Sequence, residues 1–255
     1  MRLAALALLP ALGATPVLAA SGSVELAGRT ILLPPGEWQE LGRTLEERRL
    51  SDGTPYAEGA ALFIATAPLS DGNQPPDASG TRPLGMVLIR HASRLPEGRA
   101  AWPVIDACAA EGGYRTAVLV TPRPDSQACL HVAHRLGPDT LALARMPIES
   151  APTLWRSYVA RLKEDADWGP RNWIAAAYRF ADPQGALSVE YRFNPEAAGF
   201  PPDGRDAPAN AWLPNRLDRT RTRFVTRIAD WAQSNFPRLR NAFERGTIDR
   251  PLRAP

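Results

Sequence analysis

Residues 173–193, WIAAAYRFADPQGALSVEYRF, decide the fold. Two apolar and aromatic runs, Trp173–Phe180 and Ala186–Phe193, flank the turn residues Asp182, Pro183, Gln184 and Gly185. In the second run Leu187, Val189, Tyr191 and Phe193 alternate with Ser188, Glu190 and Arg192. That period of two belongs to a strand with one buried face and one wet face. The pattern predicts a hairpin, and with it a sheet that is mainly antiparallel.

Working toward the N-terminus, Pro152–Asp165 carries Leu154, Trp155, Tyr158, Val159 and Leu162 at spacings of three and four, with proline near its start. This predicts an amphipathic helix. Thr116–Thr121 and Ala128–Leu136 read as an antiparallel strand pair around a turn at Pro122–Ser126, and Val104–Ala110 as a short helix stopped by Gly112 and Gly113. Further strands are expected at Ala60–Thr66 and Leu84–His91, separated by a loop, Ser70–Thr81, with another loop at Ser51–Tyr56. Val24–Leu26 and Thr30–Leu33 form an opening strand pair turned at Ala27 and Gly28; Pro34, Pro35 and Gly36 end it, and Trp38 plugs the core.

Toward the C-terminus, Asn194–Ala211 is a long loop dense in Pro, Gly and Ala, a length typical of functional or mobile connections. A long helix is expected from Leu213, with Leu217, Phe224, Ile228 and Trp231 on one face. Pro237 should stop or kink it, leaving Asn235 to cap a short second helix that ends near Gly246. Thr247–Pro255 reads as a tail. The sum is an α+β fold, a mainly antiparallel sheet packed with helices and closed by a long C-terminal helix, for which an α/β/α sandwich is the first arrangement to expect.

The first twenty residues have the order of a secretory signal peptide: Arg2, an apolar run from Leu3, and small residues ending at Ala19 and Ala20. The run is broken by Pro10, Gly13 and Pro16, and falls short of the ~20 residues that span a bilayer. The expected organisation is a signal peptide over 1–20, one globular domain over 21–246 and a tail over 247–255, with no membrane span after cleavage and a periplasmic or secreted location. At 44% hydrophobic residues over its full length, the chain can bury a conventional core. Lys163 is the one lysine among 30 basic residues, and losing Arg2 lowers the net charge from +3 to +2, so charge gives no reason to expect nucleic acid. Cys108 and Cys129 are the only cysteines, and an even count in an exported chain predicts a disulfide.

The familiar catalytic signatures are missing from the sequence: G-x-S-x-G, H-E-x-x-H, a P-loop and G-x-G-x-x-G, and Lys163 lacks a serine three positions before it. His131 and His134 lie three apart in an expected strand, so they point to opposite faces and cannot share a metal; His91 is elsewhere. Glu164, Asp165 and Asp167 lack the spacing of a calcium loop. Asp203 and Asp206 in the long loop are candidates for an acid and base pair. Neither a metal nor a cofactor is expected. Trp168 and Trp212, beside loops, are the rings to expect at a binding surface. Arg216, Arg219, Arg223 and Arg227 fall on one side of the expected helix and offer guanidinium groups to phosphates or carboxylates.

From these features the expected function is that of an exported, non-enzymatic binding or accessory protein of the bacterial cell envelope. Its partner would be an envelope protein or an acidic envelope polymer. The alternatives are an exported hydrolase whose acidic residues are gathered by the fold, and a polyanion-binding protein using the arginine row.

Overall fold

The computed structural model describes residues 19–68, 81–94, 102–104, 108, 112–119, 122–136, 143, 145–203, 209–246 and 251–253. Residues 1–18 of the expected signal peptide, the loop at 70–80, most of the expected helix Val104–Ala110, and Asp206 lie outside them.

The strands are β1 (Ala19–Ala20), β2 (Ser23–Leu26), β3 (Arg29–Leu32), β4 (Trp38–Arg49), β5 (Pro55–Pro68), β6 (Thr81–Arg94), β7 (Arg115–Val118), β8 (Gln127–Leu136), β9 (Asn172–Asp182) and β10 (Gly185–Phe193). Two α-helices accompany them among the described residues, α1 (Arg156–Glu164) and α2 (Arg219–Arg245). Eight strands form one sheet in the order β1-β4-β5-β6-β10-β9-β8-β7, every neighbouring pair antiparallel, and β2 with β3 makes a separate hairpin. At that hairpin's turn Ala27 and Gly28 both have positive φ, 49° and 74°, as a tight two-residue turn matched to the strand twist demands.

The deciding hairpin forms as its alternation requires. Val189 pairs with Tyr178 and Gly185 with Asp182, whose carboxylate accepts the backbone N–H of Gln184 at 2.7 Å and of Gly185 at 2.9 Å. Leu187, Val189 and Tyr191 are buried under α2 and Phe193 packs against the same core. The other face of β10 is drier than the sequence suggests. Arg192 is buried there beside Glu190, because that face is partly covered.

Long α2 fills the first face of the sheet. Val225, Ile228, Trp231, Phe236, Leu239 and Phe243 meet Phe63, Ile89, Tyr178 and Phe180, each full burial stabilising by ~1.5–3 kcal/mol. Two phenols buried on this face are satisfied: Tyr178 donates to the Ala232 carbonyl and Tyr191 to that of Leu32, each at 2.8 Å. This helix starts later than Leu213. Its N-cap is Asp218, which accepts the N–H groups of Thr220 and Arg221 at 2.8 Å, so Arg216 lies on the turn before it. It also runs unbroken through Pro237 to Gly246, whose positive φ of 67° ends it. The lost hydrogen bond is outweighed because the apolar stripe continues past the proline with Leu239, Ala242 and Phe243. Asn235 is therefore a mid-helix residue and no cap. Its amide donates to the Trp231 carbonyl and accepts the N–H of Arg253 at 3.0 Å. Residues 251–253, expected in a tail, are docked there, with Leu252 buried in the main core and the Arg253 carbonyl accepting the Trp231 indole N–H at 2.7 Å.

Strand β4 has no counterpart in the sequence reading. Its second half carries Arg43, Glu46, Glu47, Arg48 and Arg49, mostly exposed, because beyond Gln39 it pairs only with β5 and forms the sheet's outer edge.

On the second face, α1 follows a 3₁₀ turn at Thr153–Trp155 and covers one end of the sheet. Leu154, Tyr158, Leu162 and Trp168 pack there on Leu62, Ile64 and Met86. At the other end the segment 102–104 lies on β9, β10 and β5. Trp102 is buried against Ala181 and Ala186 and edge-on to Tyr56, and its indole donates to the Asp182 carbonyl at 2.8 Å. The disulfide Cys108–Cys129 ties the chain beyond this segment to β8, with Cα atoms 5.1 Å apart.

Candidate functional site

Between α1 and the Trp102 segment no described residue covers the second face of the sheet, and the described residues line a cleft of about 660 Å³ there. Its floor comes from the strand register. Cys129, Arg179, Ser188, Arg90 and Ala60 are partners across five adjacent strands, so they form one row on one face. The row beside it contains His131, Ala177, Glu190, Leu88 and Leu62; the row on the other side contains Gln127, Ala181, Ala186, Ala92 and Glu58. Small alanines in the middle of these rows lower the floor, while Trp102, Pro103 and Val104 rise as a wall.

Arg179 is the central polar group, 7% exposed in an otherwise apolar strand. Its guanidinium donates to the Gln127 amide oxygen at 3.1 Å, to Ser188 Oγ at 3.0 Å and to the Pro103 carbonyl at 3.3 Å. All three acceptors are neutral. Desolvation by burial lowers its pKa to about 10, against a smaller opposing pull from Glu58. Arg90, two strands away in the same row, is exposed and holds no partner among the described residues. Two carboxylates also line the cleft, and both are already paired: Glu58 with Arg48 at 2.8 Å, and Glu190 with Arg192 at 2.5 Å and loosely with Arg135 at 3.9 Å.

The residues singled out by sequence fall elsewhere. Trp168 and Trp212 are corrections: both are buried, Trp168 against Tyr158 and Trp212 among Phe200 and Phe224, so neither offers a ring to a ligand. A position beside a loop is no guide to exposure when the loop itself packs down. Arg219, Arg223 and Arg227 lie exposed along α2 with Arg216 on the turn before it, and none of the four guanidinium groups has a hydrogen bond or ion pair among the described residues. Asp230, three residues beyond Arg227, is held by Arg115 at 2.7 Å, and Asp218, next to Arg219, by Arg221.

His131 and His134 point to opposite faces of β8. Thr116 Oγ1 bonds the first at 3.0 Å and the Asn172 side chain the second at 2.9 Å. His91 lies on the α2 face, 1% exposed, with neither ring nitrogen bonded, and burial with nearby Arg29 lowers its pKa to about 4. Among the described residues no three His, Cys, Asp or Glu side chains gather as metal ligands. Glu164 and Asp167 pair with Arg161 and Arg171, and Asp165 accepts the Asp167 N–H. Asp203 accepts the Ala211 N–H at 2.7 Å within a buried cluster with Asn172 and Asn210 that pins the long loop.

Sequence reading missed Arg90, Arg179, Ser188 and Glu58. One signal was available: Ala175, Ala177, Arg179 and Ala181 share a face of β9, and a lone arginine among alanines marks a lowered polar floor. Comparisons with protein-family models, curated proteins and solved structures find no match for this chain.

Proposed function

We propose that this is an exported, non-enzymatic binding or accessory protein of the bacterial cell envelope, and that it binds through the open cleft on the second sheet face. The observation that carries the reading is the cleft itself. Its volume suits a small organic ligand, much of its lining is apolar, and Arg179, Ser188 and Arg90 stand in one row across its floor. In this reading the chain is an α/β/α sandwich left open on one side. Export and cleavage after Ala20 rest on the signal-peptide pattern and agree with the disulfide. Cleavage there would take β1 off the edge of the sheet and leave seven strands.

The hydrolase alternative draws less support. Glu58 and Glu190 lie two strands and four residues apart in register, about 17 Å between Cα atoms at ordinary strand spacings, and each is neutralised by an arginine. The paired carboxyl groups of a glycosidase face one bond from within about 9.5 Å of each other, whereas here each carboxylate is turned to its own arginine. The unpaired arginines of α2 support a second reading, an acidic envelope polymer as partner, which requires binding that weakens steeply with salt and falls when Arg219 and Arg223 become alanine.

Thermal denaturation in the presence of a panel of small amphipathic compounds tests the cleft. Compounds that occupy it raise the wild-type Tm by mass action and leave Ala177→Leu, which fills the floor, unshifted. Equal shifts in both proteins would place the binding elsewhere.

A further inference from the structure

We infer that the cleft takes an amphipathic anion whose oxyanion head sits over Ser188 between Arg90 and Arg179, with its apolar body running toward Tyr56 and Val104. This rests on the cleft being the binding site and specifies what it selects. Arginine carries five N–H donors, and Arg179 commits three of them to neutral oxygens, leaving two. Its contact with Ser188 leans the guanidinium toward Arg90, because Ser188 is the register partner of both. The two arginine Cα atoms stand two strand spacings apart, about 10 Å. Side chains of arginine length can close on one bound oxyanion across that gap.

A buried cation without a carboxylate in contact is unfavourable unless something supplies the missing charge. The acids facing the cleft supply little of it, Glu58 acting only from a distance. Glu58 is turned to Arg48 and Glu190 to Arg192, while Arg135 adds a third cation at the rim. The described walls then fix the rest of the ligand, since Leu88, Tyr56, Val104 and the alanine floor offer it no charge.

The test is an amide NMR titration of the whole mature chain with octanoate, octyl phosphate and octan-1-ol. Both anions should move the amides of residues 88–92, 177–179 and 186–190, and the alcohol should bind at least about tenfold more weakly, as expected for losing hydrogen bonds to charged groups. A preference between the two anions separates a carboxylate from a phosphate head. Arg90→Gln, at an exposed and unpartnered position, keeps the fold and should weaken both anions about tenfold while leaving the alcohol unchanged. Equal binding of all three ligands, unaffected by Arg90→Gln and blocked by Ala177→Leu, would overturn the anion inference and leave the cleft reading standing. No movement of the cleft amides with any ligand would overturn both.

Discussion

His91 makes the folded protein acid-sensitive in a way that a single substitution should remove. The imidazole lies buried on the α2 face of β6 with neither nitrogen hydrogen-bonded, so protonation would place a bare charge in the core beside Arg29. Its pKa falls from an ordinary 6.5 to about 4. Between those values the unfolded chain binds the proton and the folded chain does not, so stability from this group is full above pH 6.5 and is lost as pH falls toward 4. The loss should reach about 2 kcal/mol at pH 5 and about 3 kcal/mol at pH 4. His91→Leu cannot take up the proton, and it also removes two unsatisfied polar atoms, so at pH 7 it should be at least as stable as wild type. Urea unfolding of both proteins from pH 7.5 to 4.5 gives the difference directly. Other titrating groups, His134 among them, are common to both and cancel. Parallel stability curves, or a variant that loses stability at pH 7, would refute the buried, unbonded imidazole.

Four further outcomes are expected. Gly42→Ala should destabilise by about 1–3 kcal/mol in urea unfolding, because a Cβ there meets the Leu154 backbone carbonyl, which cannot move without shifting the turn before α1. Replacing Cys108 and Cys129 by serine should cost about 3 kcal/mol through loop-closure entropy and loosen the chain beyond the Trp102 wall, seen as faster amide exchange at residues 102–104. Pro237→Ala should stabilise by about 1–3 kcal/mol in thermal unfolding, since the helix is already continuous through that position and gains an N–H. N-terminal sequencing of the protein recovered from the periplasm of an expressing cell should begin at Ser21; a chain that still starts at Met1, or stays in the cytoplasm, would remove the export proposal.

Much of the architecture was legible wherever one face of an element is dry and the other wet. The β9–β10 hairpin, the β7–β8 return, β2–β3 and α1 all announce themselves by period, and Gly246 marks the end of α2 where a left-handed residue is required. The failures have a common cause in tertiary context. β4 is an edge strand whose charges face water, so its sequence carries no alternation to read. Pro237 and Asn235 mark a break in local chemistry, yet the core beneath them continues and holds the helix together. Trp212 follows a loop but is buried by it.

The site was harder to see than the fold, because it is a product of register. Arg90 lies 89 residues before Arg179 and 98 before Ser188, and the three become neighbours only through two strand pairings. Nothing in the local pattern of any one strand specifies that its polar residue will face the other two. The arginines that did stand out do so because they are close in sequence, and they face water, Arg219, Arg223 and Arg227 on the helix flank and Arg216 on the turn before it.

A crystal structure of the mature chain with octanoate bound tests the central claim most directly. The account predicts density in the cleft, the carboxylate within hydrogen-bond distance of the two uncommitted Arg179 N–H groups and of Arg90, and the alkyl chain running toward Tyr56 and Val104. Octanoate ordered elsewhere with the cleft empty, or Arg179 found paired to a carboxylate of its own chain, would contradict it.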